Sequence, residues 1–290
     1  MPLYHLKGSH ELIAPTFITA LDGWVDAGTA ATTAAGQLAQ DGEPVATFNS
    51  DLVFDYRARR PTLHIVDGRP GSLEWPELAV RHRRLGDRDL LVLTGPEPDF
   101  RWHELAEDLV ELAHRLGVSE WISLGAIPAA VPHTRPVPVL GTESRRGLLR
   151  GGVLPGPSGL LRVPAAAISV IDLAVTGAGV PAVGYFAQIP HYVSGAYPAA
   201  AVELLRAVGR HLGEEIDTSG LQGQADALQI RLSAAAAADD TTRTYVERLE
   251  AMVDEARLPS GDDLISEIER FLRDQGGSGG SAGSGGAGLE

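Results

Sequence analysis

The chain contains no cysteine. That absence removes disulfides, thiolate nucleophiles, zinc fingers and iron–sulfur clusters. Lysine is nearly absent as well: Lys7 is the only one, so arginine supplies almost all the positive charge. Schiff-base chemistry and Walker-type phosphate loops each need a lysine at a defined place, and Lys7 lies in LKGSH, outside any GxxxxGK pattern. Long hydrophobic runs are also missing. The N-terminal MPLYHLKGSHELIAP has no apolar stretch of signal-peptide length. The longest apolar runs, around Pro164–Val175 and Ser233–Ala238, fall short of a membrane span. The expectation is a cytoplasmic protein with no membrane partner.

What is present fits a globular protein. The hydrophobic fraction is 44% over 290 residues, with a mean hydropathy of -0.01. A chain of this length buries roughly three quarters of its unfolded surface and needs no staple. The formal net charge of -14 repels phosphate backbones, so no nucleic-acid partner is expected. The acidity is concentrated late: the last 90 residues hold 8 basic and 17 acidic groups. That stretch reads as a solvated outer face or as a docking surface for a basic partner.

The first two thirds alternate β-rich and helical patterns. Strands are expected at 12–23, 44–49, 62–68, 77–84, 89–95, 121–126, 137–142 and 180–188. Helices are expected at 27–40, 102–117, 165–176 and 197–213. In WHELAEDLVELAHRLG the residues Leu105, Leu109, Val110, Leu112, Ala113 and Leu116 form one stripe, and Gly117 stops the helix. Such alternation predicts a three-layer α/β/α sandwich, with a mixed sheet because 62–95 has strands without an intervening helix. From about Asp217 the pattern is helical only, in three segments. The last begins near Ser260 and Asp263 and presents Leu264, Ile265, Ile268, Phe271 and Leu272 on one face. The expected organisation is an α/β domain over 1–216, a helical appendage over 217–275 and a disordered Gly/Ser tail over 276–290. The closing Leu-Glu of that tail also resembles a cloning scar.

Several motifs have the residue types that chemistry uses. The GxG of Gly177–Gly179 follows a helix and precedes a strand, the reverse of a pyrophosphate cradle, and reads as a helix C-cap. GPSG at Gly156–Gly159 is a turn, not a GxSxG elbow. His103, Glu107, Glu111 and His114 share a helix face, but the two histidines are about three turns apart and read as solvated. No residue is assigned a catalytic or metal-binding role, and no cofactor is expected. DYRARRP gathers Arg57, Arg59 and Arg60, which suit either anion binding or ion pairs within or between subunits.

Three loops carry the richest chemistry. GWVDAG follows the first long strand and holds Trp24 and Asp26. IPAAVPHTRP follows the strand ending near Ala126 and holds His133, Thr134 and Arg135. IPHYVSG follows the strand ending near Gln188 and holds His191 and Tyr192. If the strands are parallel, all three loops meet at the carboxyl edge of the sheet, where open α/β sheets place their clefts. A carboxylate, two imidazoles and a guanidinium there could do acid–base work or hold an anion. The bland alternative is that the prolines stiffen the loops, Asp26 caps the first helix, and the polar groups bond within the loops.

These same segments resemble the proteasome-assembly-chaperone type-two family, in its bacterial, high-GC branch. The resemblance rests on GWVDAG, DYRARRP, GPEPDFRWHEL, GAIPAAVPHTRP, AQIPHYVSGAYPAA and PSGDDLISEIERFLR in that order, and spans about Leu12 to Arg273. It implies a three-layer fold similar to phosphorylase/hydrolase-like domains. It also implies a homo-oligomer, with a trimer among the options, and an ATP-independent assembly-chaperone role with proteasome subunits as candidate partners. Archaeal relatives dock through a C-terminal hydrophobic–Tyr–any motif. This chain ends Gly288-Leu289-Glu290, so docking by that route is not expected. A link of some bacterial relatives to ATP-grasp enzymes is set aside, because that grip uses core lysines. The alternative is an enzyme or a binder of an anionic metabolite using the carboxyl-edge cleft.

Overall fold

A computed structural model describes residues 2–8 and 11–256. The third helical segment expected near Ser260 and the Gly/Ser tail lie outside the described residues. The centre of the fold is a run of parallel strands. These are β2 (Thr16–Asp22), β7 (Arg88–Pro96), β8 (Glu120–Ala129) and β11 (Ala182–Pro190), in the order β7-β2-β8-β11. β2 is buried on both faces, as the middle of a parallel sheet must be, and in TFITALD Thr16 and Thr19 are its buried polar residues, with Asp22 exposed at its end. Alternate side chains serve two cores. Phe17 and Leu21 point to one, while Ile18 and Ala20 point to the other.

Helices cover both faces. On one side lie α1 (Ala30–Ala39) and α5 (Pro198–Leu212), over Ile18, Val92, Ile122, Leu124 and Tyr185. The fully buried Ala30, Ala31, Ala34 and Ala35 let α1 approach the sheet closely. On the other side lie α3 (Trp102–Arg115) and α4 (Ala167–Gly177), with Val53 of the one-turn α2 (Ser50–Val53), over Phe17, Leu91, Leu93 and Trp121. Phe17 stacks on Trp121 with ring centroids 4.1 Å apart and planes within 4°. The stripe expected on α3 is the buried one, except that Val110 and Leu116 are only partly buried.

Antiparallel strands extend the sheet at both edges. β6 (Ala79–Leu85), β3 (Glu43–Phe48) and β1 (Tyr4–Leu6) continue beyond β7. β9 (Val139–Glu143) runs antiparallel to β11, and the short β10 (Leu154–Pro155) follows it. The three-layer mixed architecture expected from the sequence is therefore the one found. One strand is placed differently. β4 (Thr62–Val66) does not join the main sheet but folds back on β5 (Arg69–Glu74) as a separate two-stranded arm. The turn explains it. Asp67 and Gly68 both take positive φ, 50° and 75°, as a tight hairpin turn that matches strand twist requires.

After α5 the chain forms α6 (Ser219–Ala237) and α7 (Asp240–Ala256). α6 packs on α5, and α7 packs back on α6.

Candidate functional site

The parallel register puts the ends of β2, β8 and β11 at one edge: Asp22 lies opposite Pro96, and Pro190 opposite Ala129. The three loops singled out above therefore all leave the same carboxyl edge. Two of them meet.

His133 is buried. Its backbone N–H donates to the Tyr192 hydroxyl at 2.8 Å, and that hydroxyl lies 2.8 Å from its Nδ1. Since the hydroxyl oxygen already accepts from the backbone, its own proton points to Nδ1. The remaining ring proton then sits on Nε2, which faces the Ser233 hydroxyl at 3.2 Å. Burial lowers the His133 pKa, and the Glu250 carboxylate opposes that shift. His191 has the other tautomer. Its Nδ1 donates to the Ala129 carbonyl at 3.0 Å, leaving Nε2 to accept the Tyr245 hydroxyl at 3.1 Å. Tyr192 makes edge contacts with His133, His191 and Tyr245.

These contacts reach well beyond the loops. Ser233 is on α6, while Tyr245, Glu250 and Asp254 are on α7. Arg135 forks onto Asp254 at 2.9 and 2.7 Å and stands 3.4 Å from Glu250, which also accepts the Thr134 hydroxyl. The edge is thus not an open cleft. The acidic helical hairpin lies across it, with Val246 and Leu249 buried. Part of the late acidity seen in the sequence faces inward, onto Arg135.

The β2 loop stays apart from this cluster. Asp26 accepts the N–H groups of Ala31 and Thr32 at 2.7 and 3.3 Å and the Thr32 hydroxyl, so it caps the first turn of α1. Burial raises its pKa, and those three hydrogen bonds pull it back. Trp24 is 66% exposed. Its backbone N–H donates to one oxygen of Glu97 at 3.1 Å, and the other oxygen accepts the Ala167 backbone N–H at 2.7 Å. The arginine cluster also divides. Arg59 stands 3.6 Å from Asp99, whereas Arg57 and Arg60 are exposed at the base of the β4–β5 arm.

A cavity of about 310 Å³ opens between the His133–Val137 loop, α5 and α6. Its polar groups are matched to one another: Arg206 is held by Glu203 at 2.6 Å and Gln222 at 3.0 Å, and Gln222 donates to Asp226 at 2.7 Å. Among the described residues, no group of three or more His, Asp or Glu is placed to hold a metal ion. None of the described helices is long and apolar enough to cross a membrane.

Sequence reasoning missed two inward-facing titratable groups. On α4, the Asp172 carboxyl accepts the buried Ser123 hydroxyl at 2.5 Å, and Ser123 in turn accepts Trp121 Nε1 at 3.2 Å. Lost hydration pushes Asp172 up to about 7. The available signal was a lone acid in the apolar AISVIDLAVTG. On α5, the buried His211 bridges the Tyr185 hydroxyl at 2.6 Å and Glu120 at 3.2 Å. That bond holds Glu120 below its usual range.

Comparison with known proteins places this architecture. The PAC2 family model matches residues 20–236. A Corynebacterium glutamicum protein of unknown function superposes with a TM-score of 0.82 at 30% identity, covering 87% of this chain and 97% of that one. A Mycobacterium tuberculosis proteasome-assembly chaperone homologue gives 0.73 at 34% identity, covering 80% and 99%. A PAC2 family protein from Streptomyces avermitilis gives 0.72 at 34%, with the same coverage. No curated protein matches significantly. With its family model spanning most of the α/β body and these relatives covered almost end to end, this chain belongs to the PAC2 family.

Proposed function

We propose that this chain is a self-associating, ATP-independent protein-binding member of the PAC2 family, acting in the bacterial cytoplasm as an assembly-chaperone-like factor. The observation that carries the reading is the likeness to the M. tuberculosis proteasome-assembly chaperone homologue, which is covered over 99% of its length at 34% identity. The site chemistry supports it. The edge loops spend Arg135 and His191 on α7, and His133 on Ser233 of α6 and on the Tyr192 hydroxyl. On this reading 1–216 is the body and 217–275 an appendage, whose helices α6 and α7 lie across the binding edge. Proteasome subunits are the first partners to test. Mixing the chain with proteasome α subunits and following size-exclusion co-migration and assembly rate tests it: co-migration or faster assembly is expected, and the absence of both overturns the reading. Light scattering reads the subunit number, with a trimer as the expectation.

The 310 Å³ cavity favours one second reading, a binder of a small anionic metabolite beside Arg135 and His133. A thermal-shift screen checks it. A ligand at a hundred times its dissociation constant stabilises the native state by about 2.7 kcal/mol. A hit that persists unchanged in His133→Ala and Arg135→Ala removes this site.

A further inference from the structure

The carboxyl on α4 is satisfied on one side only. Asp172 stands among Ile168, Ile171 and Val175, which α4 buries in the core. One of its oxygens accepts the Ser123 hydroxyl at 2.5 Å, and Ser123 accepts the Trp121 Nε1–H at 3.2 Å. Ser123 and Trp121 are fully buried, so this anchor is fixed. The other oxygen has no hydrogen-bond or ion-pair partner among the described residues. An unpaired carboxylate kept from water is costly, and the group shifts toward its neutral form instead. Lost hydration accordingly pushes Asp172 up to about 7, with no cation opposing it.

Asp172 lines a hollow of about 270 Å³ between α4 and the strands β9 and β11. Thr142 and Glu143 of β9, Leu173 and Thr176 of α4, and Gly184 of β11 are part of its wall. Leu173 is 74% exposed and gives that wall an apolar flank. The floor is bare by necessity: a Cβ at 184 would stand 2.5 Å from Thr142 Oγ1 and 2.6 Å from the Phe186 ring. The hydroxyls of Thr142 and Thr176 are without a side-chain partner among the described residues. Charge in the lining is of one sign, two acids and no base among the described residues. Glu143 accepts the backbone N–H groups of Leu149 and Leu148 at 3.1 and 2.8 Å, which hold its pKa below the usual range. Arg146 acts on Glu143 from outside the lining.

We propose that this hollow binds a small primary amine, its ammonium paired with Asp172 and its apolar stem lying along Leu173. An ammonium carries three N–H donors. The open Asp172 oxygen and the two threonine hydroxyls are three acceptors around one hollow. A guanidinium is best matched by both oxygens of a carboxylate, and one oxygen of Asp172 is committed to Ser123. A quaternary ammonium has no N–H to give and favours aromatic faces, and no aromatic residue lines the hollow among the described residues. An α-amino acid would bring a second carboxylate against Asp172 and Glu143. An amine without an acid group is what fits. Protonated Asp172 cannot pair with an ammonium, so binding strengthens as pH rises toward about 7. Glu143 on β9 is the other titratable group in the lining, and β11 contributes none.

Calorimetric titration of the full-length protein with n-butylammonium chloride at pH 8 tests the site. Binding with a dissociation constant of about 1 mM or tighter is expected. Affinity should fall by about tenfold for each pH unit below 7. n-Butanol has the same stem without the charge, and tetramethylammonium has the charge without donors. Both should bind at least about tenfold more weakly. Asp172→Asn keeps an acceptor for Ser123 and should lose binding by at least about tenfold, while circular dichroism shows the wild-type fold. A second reading follows the Asp172 carboxyl itself by carbon NMR. Saturating n-butylammonium should lower its titration midpoint, which a merely structural carboxyl would not show. Absence of binding at pH 8, equal binding by Asp172→Asn, or equal binding of n-butanol overturns the proposal. So does an amine-free midpoint below about 4, the ordinary carboxylate range, because a cation from a second copy would then already fill the hollow.

Discussion

The Tyr192 hydroxyl accepts the backbone N–H of His133 and faces the Nδ1 of the same residue, both at 2.8 Å. One oxygen thereby reads the protonation state of a buried imidazole. If His133 takes up a second ring proton, Nδ1 becomes a donor and the hydroxyl has no acceptor there for its own hydrogen.

The pH dependence follows from that relationship. Burial holds the folded-state pKa of His133 below its ordinary 6.5. The unfolded chain therefore binds the proton first as pH falls. The contribution of His133 to stability is complete above about 6.5 and is lost as the pH drops from there toward the folded value. The groups facing the ring are Tyr192 and Ser233, with the Glu250 carboxylate limiting the loss. Urea unfolding should show wild type losing stability relative to His133→Gln between pH 7.5 and 5.5, by at most about 1.4 kcal/mol per pH unit. A constant difference across that range contradicts the assignment.

Asp172 should behave in the opposite sense. Its folded pKa is raised to about 7 from an ordinary 3.8. Its contribution is complete below about 4 and is lost as pH rises through 7. Asp172→Asn keeps an acceptor for Ser123 and never ionises. The melting temperature of this variant minus that of wild type should grow from pH 5 to pH 8, and a flat difference would show that the carboxyl titrates normally.

Docking of α7 depends on single polar contacts that can be removed without touching a core. Tyr245→Phe deletes the hydroxyl that bonds His191 and keeps the ring against Tyr192. The net value of such a bond is about 0.5–1.5 kcal/mol. Hydrogen exchange over 240–256 should accelerate by a few-fold to about tenfold while the amides of β2 and β8 stay protected. Equal acceleration in both regions would mean that α7 opens only with the whole domain.

Removing the Asp26 carboxylate should act locally on α1. Asp26→Ala frees two backbone N–H groups and the Thr32 hydroxyl, at a cost of about 1–2 kcal/mol, and Asp26→Asn should recover most of it. Chemical denaturation reads both. An Asp26→Ala variant as stable as wild type would show that the hydrogen bonds contribute nothing net.

How much of this was legible can be argued residue by residue. The meeting of His133 with Tyr192 followed from parallel strands and the rule that their loops share an edge. The separation of Asp26 from them was already present as the capping alternative, because GWVDAG opens directly onto a helix. The cover over the edge was not readable. It is made by Tyr245, Glu250 and Asp254, polar residues on a helix whose few apolar positions gave no hint of what they face. β5 was missed because RPGSLE places Pro70 and Gly71 inside a strand, both of which argue against one. Asp67-Gly68 was the signal that outweighed them.

Glu97 has a wider reach than a loop contact suggests. Its two oxygens fasten Trp24 and Ala167, residues far apart in sequence. Ala167 is where the exposed crossing from β10 ends, and Leu154 and Pro155 pin its beginning to β9. The Leu160–Leu161 stretch is therefore a span clamped at both abutments. Both of its ends are fixed to the body, so it can move only as a closed loop and not as a free arm.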